Sequence, residues 1–245
     1  MLRFIIELLP DTSGLKRYYN KRRRAKNVQK NAKRIPEYLK DNNFEVELNY
    51  KLWITKGARF KASERCEELD ARYNRIVGWV SSYLIIFSVL TLCKIPFFTL
   101  PDNYSTFISI SLSILILVFS QFAYAKNYSV HARNYHECGL EISKLYNKLR
   151  ILKVKSEHSI EDVDLIKNEY EKVLDRYDNH LPIDLAMFKL QKTEYFKIGI
   201  IHKGYCIVKY FFLVRFVYYF CVYGLPLLYI IVCIKYRSFQ QLYCI

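Results

Sequence analysis

The chain has 245 residues, with 38 Lys/Arg against 23 Asp/Glu, a formal net charge of +15 and a mean hydropathy of −0.03. That near-zero mean conceals segregation: residues 1–75 hold nineteen Lys/Arg and ten Asp/Glu, 76–125 hold only Lys94 and Asp102, and 126–215 are densely charged again. Blocks this distinct argue against one soluble globular domain, and the positive balance points to an anionic partner, either nucleic acid or the anionic face of a bilayer.

The opening MLRFIIELLP has an apolar core broken by Glu7 and no small-residue cleavage pattern, so it does not read as a signal peptide. Residues 12–36 contain no acid and ten Lys/Arg. With no apolar stripe to bury, they read as a solvated basic arm. Lys21, Arg22, Arg23, Arg24 and Lys26 are its candidate contacts to anionic lipid, or to nucleic acid through tyrosines next to arginines.

From Trp53 to Cys93 the pattern predicts one long helix starting near Thr55 as N-cap, with Gly57 in its first turn. Its first part is polar and mixed in charge. Ile76–Cys93 is then uncharged for eighteen residues, the lower limit for crossing a bilayer. The loop KIPFFTLPDN follows, with Pro96 and Pro101 as breakers. Tyr104–Ala125 is uncharged for twenty-two residues. Two such runs joined by a short turn predict a transmembrane hairpin. Its loop carries one lysine, whereas both flanks are rich in Lys/Arg. The positive-inside rule therefore places residues 1–75 and the segment after 125 in the cytoplasm.

Beyond Lys126 the helix is expected to continue. Tyr128, Tyr135, Ile142 and Leu149 recur every seven residues, and His131, Cys138, Leu145 and Leu152 interleave with them as an a/d seam. Such a seam needs a partner, either the pre-membrane helix of the same chain or the same helix of a neighbouring subunit. Ser159 and Asp162 resemble a capping box opening a further helix, which carries the stripe Val163, Ile166, Tyr170, Val173 and Tyr177 and ends at Leu181-Pro182. Phe216–Ile234 is nineteen uncharged residues interrupted by Gly224 and Pro226. It is a candidate third span, with a re-entrant or interfacial segment as alternatives.

The reading is an all-α membrane protein: a transmembrane helical hairpin with long cytoplasmic helical extensions and a candidate third C-terminal transmembrane helix. Its regions are a basic arm (1–47), a two-span domain (48–180, with spans 76–93 and 104–125) and a C-terminal region (181–245).

No motif for catalysis is present: there is no phosphate loop, no HExxH and no GxSxG. His131 and His136 stand five apart and do not share a helix face, so no metal site, cofactor or enzymatic activity is expected. Seven scattered cysteines without a CxxC pair exclude a zinc module and a disulfide framework. Glu67-Glu68 and Glu161-Asp162 read as solvated helix charges, and the high tyrosine count is given no functional weight. The spans do carry hydroxyl stripes. Ser81, Ser88 and Thr91 lie on the first, and Thr106, Ser109, Ser113 and Ser120, with Gln121, on the second. These residues either pack helix on helix or line a water-filled path in an oligomer.

LNYKLWITKGARFKASERCEELDARYNRIVGWVSSYLIIFSVL (48–90) and YAKNYSVHARNYHECGLEISKLYNKL (124–149) resemble the SLATT family, the two-transmembrane effector domains of bacterial conflict systems associated with SMODS nucleotidyltransferases and SLOG proteins. The resemblance covers about Leu48–Asn179 and is closest to a branch linked to reverse transcriptases. It implies an effector in the bacterial inner membrane that oligomerises, forms a pore or disrupts the membrane, and kills or arrests the cell when a partner signals. That partner would be a nucleotidyltransferase or a reverse transcriptase. A membrane-tethered scaffold, recruiting nucleic acid or a partner enzyme through the basic arm, is the alternative. The arm and the Phe216–Ile234 segment stand as additions to the two-span plan.

Overall fold

The computed structural model describes residues 43–95, 97–98, 100–154 and 159–243, with side chains as far as Phe239. The candidate arm contacts Lys21–Lys26, and Pro96, lie outside the described residues. Compactness divides the chain into Met1–Tyr50 and Lys51–Ile245. In the first unit, the Asn43 side chain caps a helix start, its Oδ1 accepting from the backbone N–H groups of Glu45 (3.1 Å) and Val46 (3.2 Å). That helix, α1, runs Phe44–Leu92, 49 residues or about 74 Å. It begins well before the predicted Thr55. Thr55 is mid-helix, where its hydroxyl meets the Tyr170 hydroxyl at 2.8 Å.

The remaining elements all belong to the second unit. Among the described residues they are helical, with no strand. Lys94 closes α1 in the left-handed region (φ 49°). Helix α2 (Asp102–Lys126) returns, and α3 (Tyr128–Val154) follows it. Contrary to the sequence expectation, α2 and α3 are not one unbroken helix. Asn127 sits between them at φ 44°, a conformation its short polar side chain tolerates. Helix α4 (Ile160–Arg176) opens with the predicted capping box, in which Ser159 and Asp162 satisfy each other's backbone N–H groups. Pro182 does not end α4, which stops at Arg176. It occupies the first turn of a further helix, α5 (Pro182–Gln191), where its missing N–H costs nothing.

The last stretch comprises α6 (Ile200–Val214), α7 (Phe216–Tyr219), a π turn (Phe220–Gly224) and α8 (Leu225–Tyr243). Among the described residues, three helical stretches are long and apolar enough to cross a bilayer: Phe44–Leu92, Asp102–Val154 and Ile200–Phe239. The chain is thus an all-α membrane protein, and the third stretch begins well before the predicted Phe216.

Outside the spans, α1, α3, α4 and α5 form a bundle. The buried face of α3 comprises Ala132, Tyr135, Cys138, Gly139, Ile142, Leu145 and Leu149. Its partners lie within the chain: Ala62 and Cys66 of α1 pack on Ala132 and Tyr135, and α4 lies antiparallel to α3, with Lys148 on Glu169 (3.0 Å) and Arg176 on Glu141 (2.6 Å). Tyr128 packs half-buried at the top of the seam, and Leu152 is half-buried at its far end. Gly139 is needed for a close approach, since a Cβ there would stand 2.9 Å from the Phe60 ring.

Candidate functional site: where the third helix meets the hairpin

Packing within the spans is carried by hydrocarbon. Ile76 and Val80 of α1, Leu112 of α2 and Cys221 of the π turn form a buried core, with Leu84, Ile116, Phe119 and Tyr218 against it. Among the described residues, the hydroxyl stripes take no part in bonds between helices. Ser88, Thr91, Ser109, Ser113 and Ser120 each donate to the carbonyl four residues back on their own helix, at 2.8–3.0 Å. Ser81 is half-buried, whereas Ser88, Thr106, Ser113 and Gln121 face outward from the single chain. These positions are left open to a neighbouring molecule or to lipid.

Bonds between the spans come from tyrosines. Pro226 has no N–H to offer the Val222 carbonyl one turn back, and Gly224 loosens the backbone between them. The ladder widens there into the π turn, and the Tyr83 hydroxyl of α1 donates to the Val222 carbonyl at 2.6 Å. Higher up, Tyr229 donates to the Phe98 carbonyl in the hairpin loop (2.8 Å) and meets Phe87 edge to face.

A second joint lies at the polar end of the spans. Arg215 falls between α6 and α7, the only charge in an otherwise apolar stretch from Tyr210 to Ile234. Its Nε donates to Glu68 Oε1 at 3.0 Å. The same carboxylate accepts from Arg72 (2.6 Å) and from the Tyr210 hydroxyl (2.9 Å). Arg72 and Arg75 also lie over the Tyr218 ring, at 5.0 and 5.2 Å. Glu68 is therefore not a solvated helix charge, as its sequence context suggests. Burial works against its ionised form, yet hydrogen bonds from Arg72 and Tyr210 and the Arg215 charge hold its carboxyl below the ordinary value.

Below this joint, α1 holds the C-terminal half through buried arginines. Arg65 grips Asp184 through two hydrogen bonds (2.7 and 3.2 Å), and the two side chains are 7% and 1% exposed. Arg59 donates to the Asp178 carbonyl and to Asn179 Oδ1. Beside them His180 is partly buried, and that burial, with the Arg59 charge, lowers its pKa. Gly57 lies three turns into α1 and not in its first turn. The Phe188 ring occupies the space its missing side chain leaves, and Trp53 contacts Phe188 and stacks on Phe196. His131 approaches Asp178 at 3.7 Å, and His136 meets Phe60 edge to face. Among the described residues no group of His, Cys, Asp and Glu is placed to hold a metal ion.

Sequence reasoning singled out the conspicuous serines and missed Tyr83, Glu68, Tyr210, Arg215 and Tyr229. Two signals were legible: a lone arginine dividing apolar runs, and a proline four residues after a carbonyl that must then be satisfied from outside.

The family model described as SMODS and SLOG-associating 2TM effector domain family 5 matches residues 41–234. The match runs on past Asn179, where the sequence resemblance stops, so the third helix falls inside the family pattern and is not an addition to it. No curated protein and no solved structure matches the chain.

Proposed function

Since the chain belongs to the SMODS and SLOG-associating 2TM effector domain family 5, we propose that it is an effector of a bacterial conflict system that oligomerises in the inner membrane and permeabilises it on activation, arresting or killing the cell. One observation carries this reading. Helix α1 passes unbroken from the extramembrane bundle into the first span, and the third helix is fastened to it just before it enters, at Glu68–Arg215. A shift of α1 caused by a partner on the bundle would be transmitted to two spans together. Oligomerisation would bring the outward hydroxyls at Ser88, Thr106 and Ser113 against another subunit or against water.

The excess of Lys/Arg on both flanks of the hairpin supports a cytoplasmic bundle. The activating partner would be a nucleotidyltransferase or a reverse transcriptase, and the basic arm would contact anionic lipid or nucleic acid. No catalytic step is assigned to the chain. Dye release from liposomes holding the purified protein tests the proposal. Release on adding the partner's product or the partner itself, lost in Glu68→Leu, is expected. No release under any activating condition, with the protein correctly inserted, overturns it. Deleting 16–34 separates the scaffold alternative: partner capture lost with toxicity retained assigns the arm to recruitment.

A further inference from the structure

Helix α6 is drawn along the charged part of α1. Just before it starts, Phe196 stacks on Trp53, and at its far end Tyr210 and Arg215 meet Glu68. Trp53 and Glu68 stand about 22 Å apart along α1, and the 15 residues of α6 span the same length. The stretch of α1 between those anchors carries Lys56, Arg59, Lys61, Glu64, Arg65 and Glu67, and it precedes the apolar run from Ile76. Helix α6 therefore stands beside the bundle, outside the hydrocarbon, and its two anchors keep it from lying flat on the bilayer surface.

Its two faces differ. The inner face buries Cys206 and Val214 and directs the Tyr210 hydroxyl to Glu68. Ile201, Tyr205, Val208 and Phe212 share the opposite face, and each is more than half exposed, Ile201 to 91%. Their steps of four, three and four residues are the a/d spacing of a helix that packs on another helix. On α3 the same spacing is covered by α1 and α4, whereas nothing among the described residues covers it on α6. Large apolar side chains grouped this way outside a membrane mark a contact surface. Gly204 lies along the same stripe. A Cβ there would meet nothing within 4 Å, so no close approach inside the chain calls for a residue that weakens the helix. A helix approaching from outside would. Copies inserted in one bilayer in the same sense are related by rotation about its normal, so their α6 helices run in the same direction. In such a parallel pair Lys209 would face the second copy's Gly204, which is neutral and leaves room for the lysine stem.

We propose that the outward stripe of α6 is the seam through which copies of this chain associate beside the membrane, with Ile201, Tyr205, Val208 and Phe212 of one α6 packing in parallel on the same residues of the next. The inference deepens the oligomerisation in the proposed function and rests on that reading. Because α6 leads into the third span at Arg215, copies joined here bring their third helices side by side.

The test is oxidative cysteine crosslinking of the full-length protein in proteoliposomes, in a Cys93→Ser, Cys244→Ser background. Ile201→Cys and Val208→Cys should give several-fold more disulfide-linked dimer than Ile207→Cys and Leu213→Cys, which are exposed on α6 but lie off the stripe. Val208→Glu should lower the Ile201→Cys crosslink several-fold. Without an added cysteine, the same Val208→Glu should leave Cys206 protected from a maleimide, which shows that the fold of the single chain is kept. Equal crosslinking on and off the stripe, no crosslink at either stripe position, or a crosslink indifferent to Val208→Glu overturns the proposal. Deleting residues 2–40 should leave the crosslink in place. A crosslink that forms only after that deletion assigns the stripe to the chain's own N-terminal segment and overturns the proposal too. Stripe crosslinks without dye release keep the seam and overturn permeabilisation, whereas dye release without stripe crosslinks overturns the seam alone.

Discussion

Helix α1 and the chain from Leu181 onward make opposite use of the same secondary structure. Across the second unit, α1 runs from Lys51 to Leu92 as one uninterrupted ladder, although it changes from polar to apolar halfway. The C-terminal half is broken repeatedly: at Leu181-Pro182, after Gln191, at Arg215, and at the π turn before Pro226. Each irregularity is answered by a residue of α1. Asp184 pairs with Arg65, Phe196 beyond Gln191 stacks on Trp53, Arg215 pairs with Glu68, and the Val222 carbonyl with Tyr83. A regular helix can serve as a rail because its own backbone is satisfied and its side chains are free to satisfy another segment. The comparison teaches that polar partners on α1 fix where the third helix sits, in addition to the apolar packing it shares with the hairpin.

The largest test of that dependence is Asp184→Ala. It strands a buried arginine and should cost about 3–5 kcal/mol, whereas Arg65→Met with Asp184→Leu should cost far less. Chemical denaturation of the purified protein reads the difference, and equal losses would mean the pair contributes little beyond packing.

Glu68→Leu comes next. It removes the acceptor shared by Arg72, Arg215 and Tyr210, so a loss of about 2–3 kcal/mol is expected. Cys206, now buried on α6, should become reactive to a maleimide. If Cys206 stays protected, Glu68 does not hold the third helix.

Gly57→Val forces a side chain into the Phe188 ring and should cost about 1–3 kcal/mol. Trp53 fluorescence should shift as its contact with Phe188 is lost.

Tyr83→Phe should cost only about 1 kcal/mol, because a hydrogen bond between spans is worth little more. The same change in a Pro226→Ala background should cost less, because the restored backbone N–H supplies the donor that the Val222 carbonyl lacks. A thermal-shift double-mutant cycle without coupling would break the link drawn between proline, carbonyl and tyrosine.

Titration gives the smallest effect: in both regions stability is lost as pH falls, but in different pH windows. His180 is depressed below its ordinary 6.5, so the unfolded chain takes up the proton first and stability is lost as pH falls below that value. His180→Gln should flatten this slope. Glu68 is depressed below 4.5, so its contribution persists through that window and fades only in stronger acid. A bundle that loosens before the joint does, followed by tryptophan emission against Cys206 labelling, is the expected order.

How legible each feature was follows from where its cause lies. The capping box at Ser159–Asp162 was readable because both partners sit within one turn. The seam from Tyr135 to Leu149 was readable as a repeat, although its partners on α1 and α4 were not. The break at Asn127 was missed, since an apolar period passes over a single residue in an unusual backbone conformation. The hydroxyl stripes drew attention because serine is rare in lipid, but a carbonyl four residues back satisfies five of them. The tyrosines were passed over as composition, yet Tyr83, Tyr210 and Tyr229 carry the bonds between segments.

By itself the sequence determined which runs are apolar enough to cross a membrane, because the cost of burying charge in hydrocarbon depends on local residue content. The run at 76–93, the run at 104–125 and the basic flanks needed no neighbours to be read. Only the tertiary structure decided what the third helix does. Its partners on α1 stand 139 and 147 residues away in the chain. A missing N–H or a lone arginine states a need, and which distant side chain meets it is settled only when the helices pack.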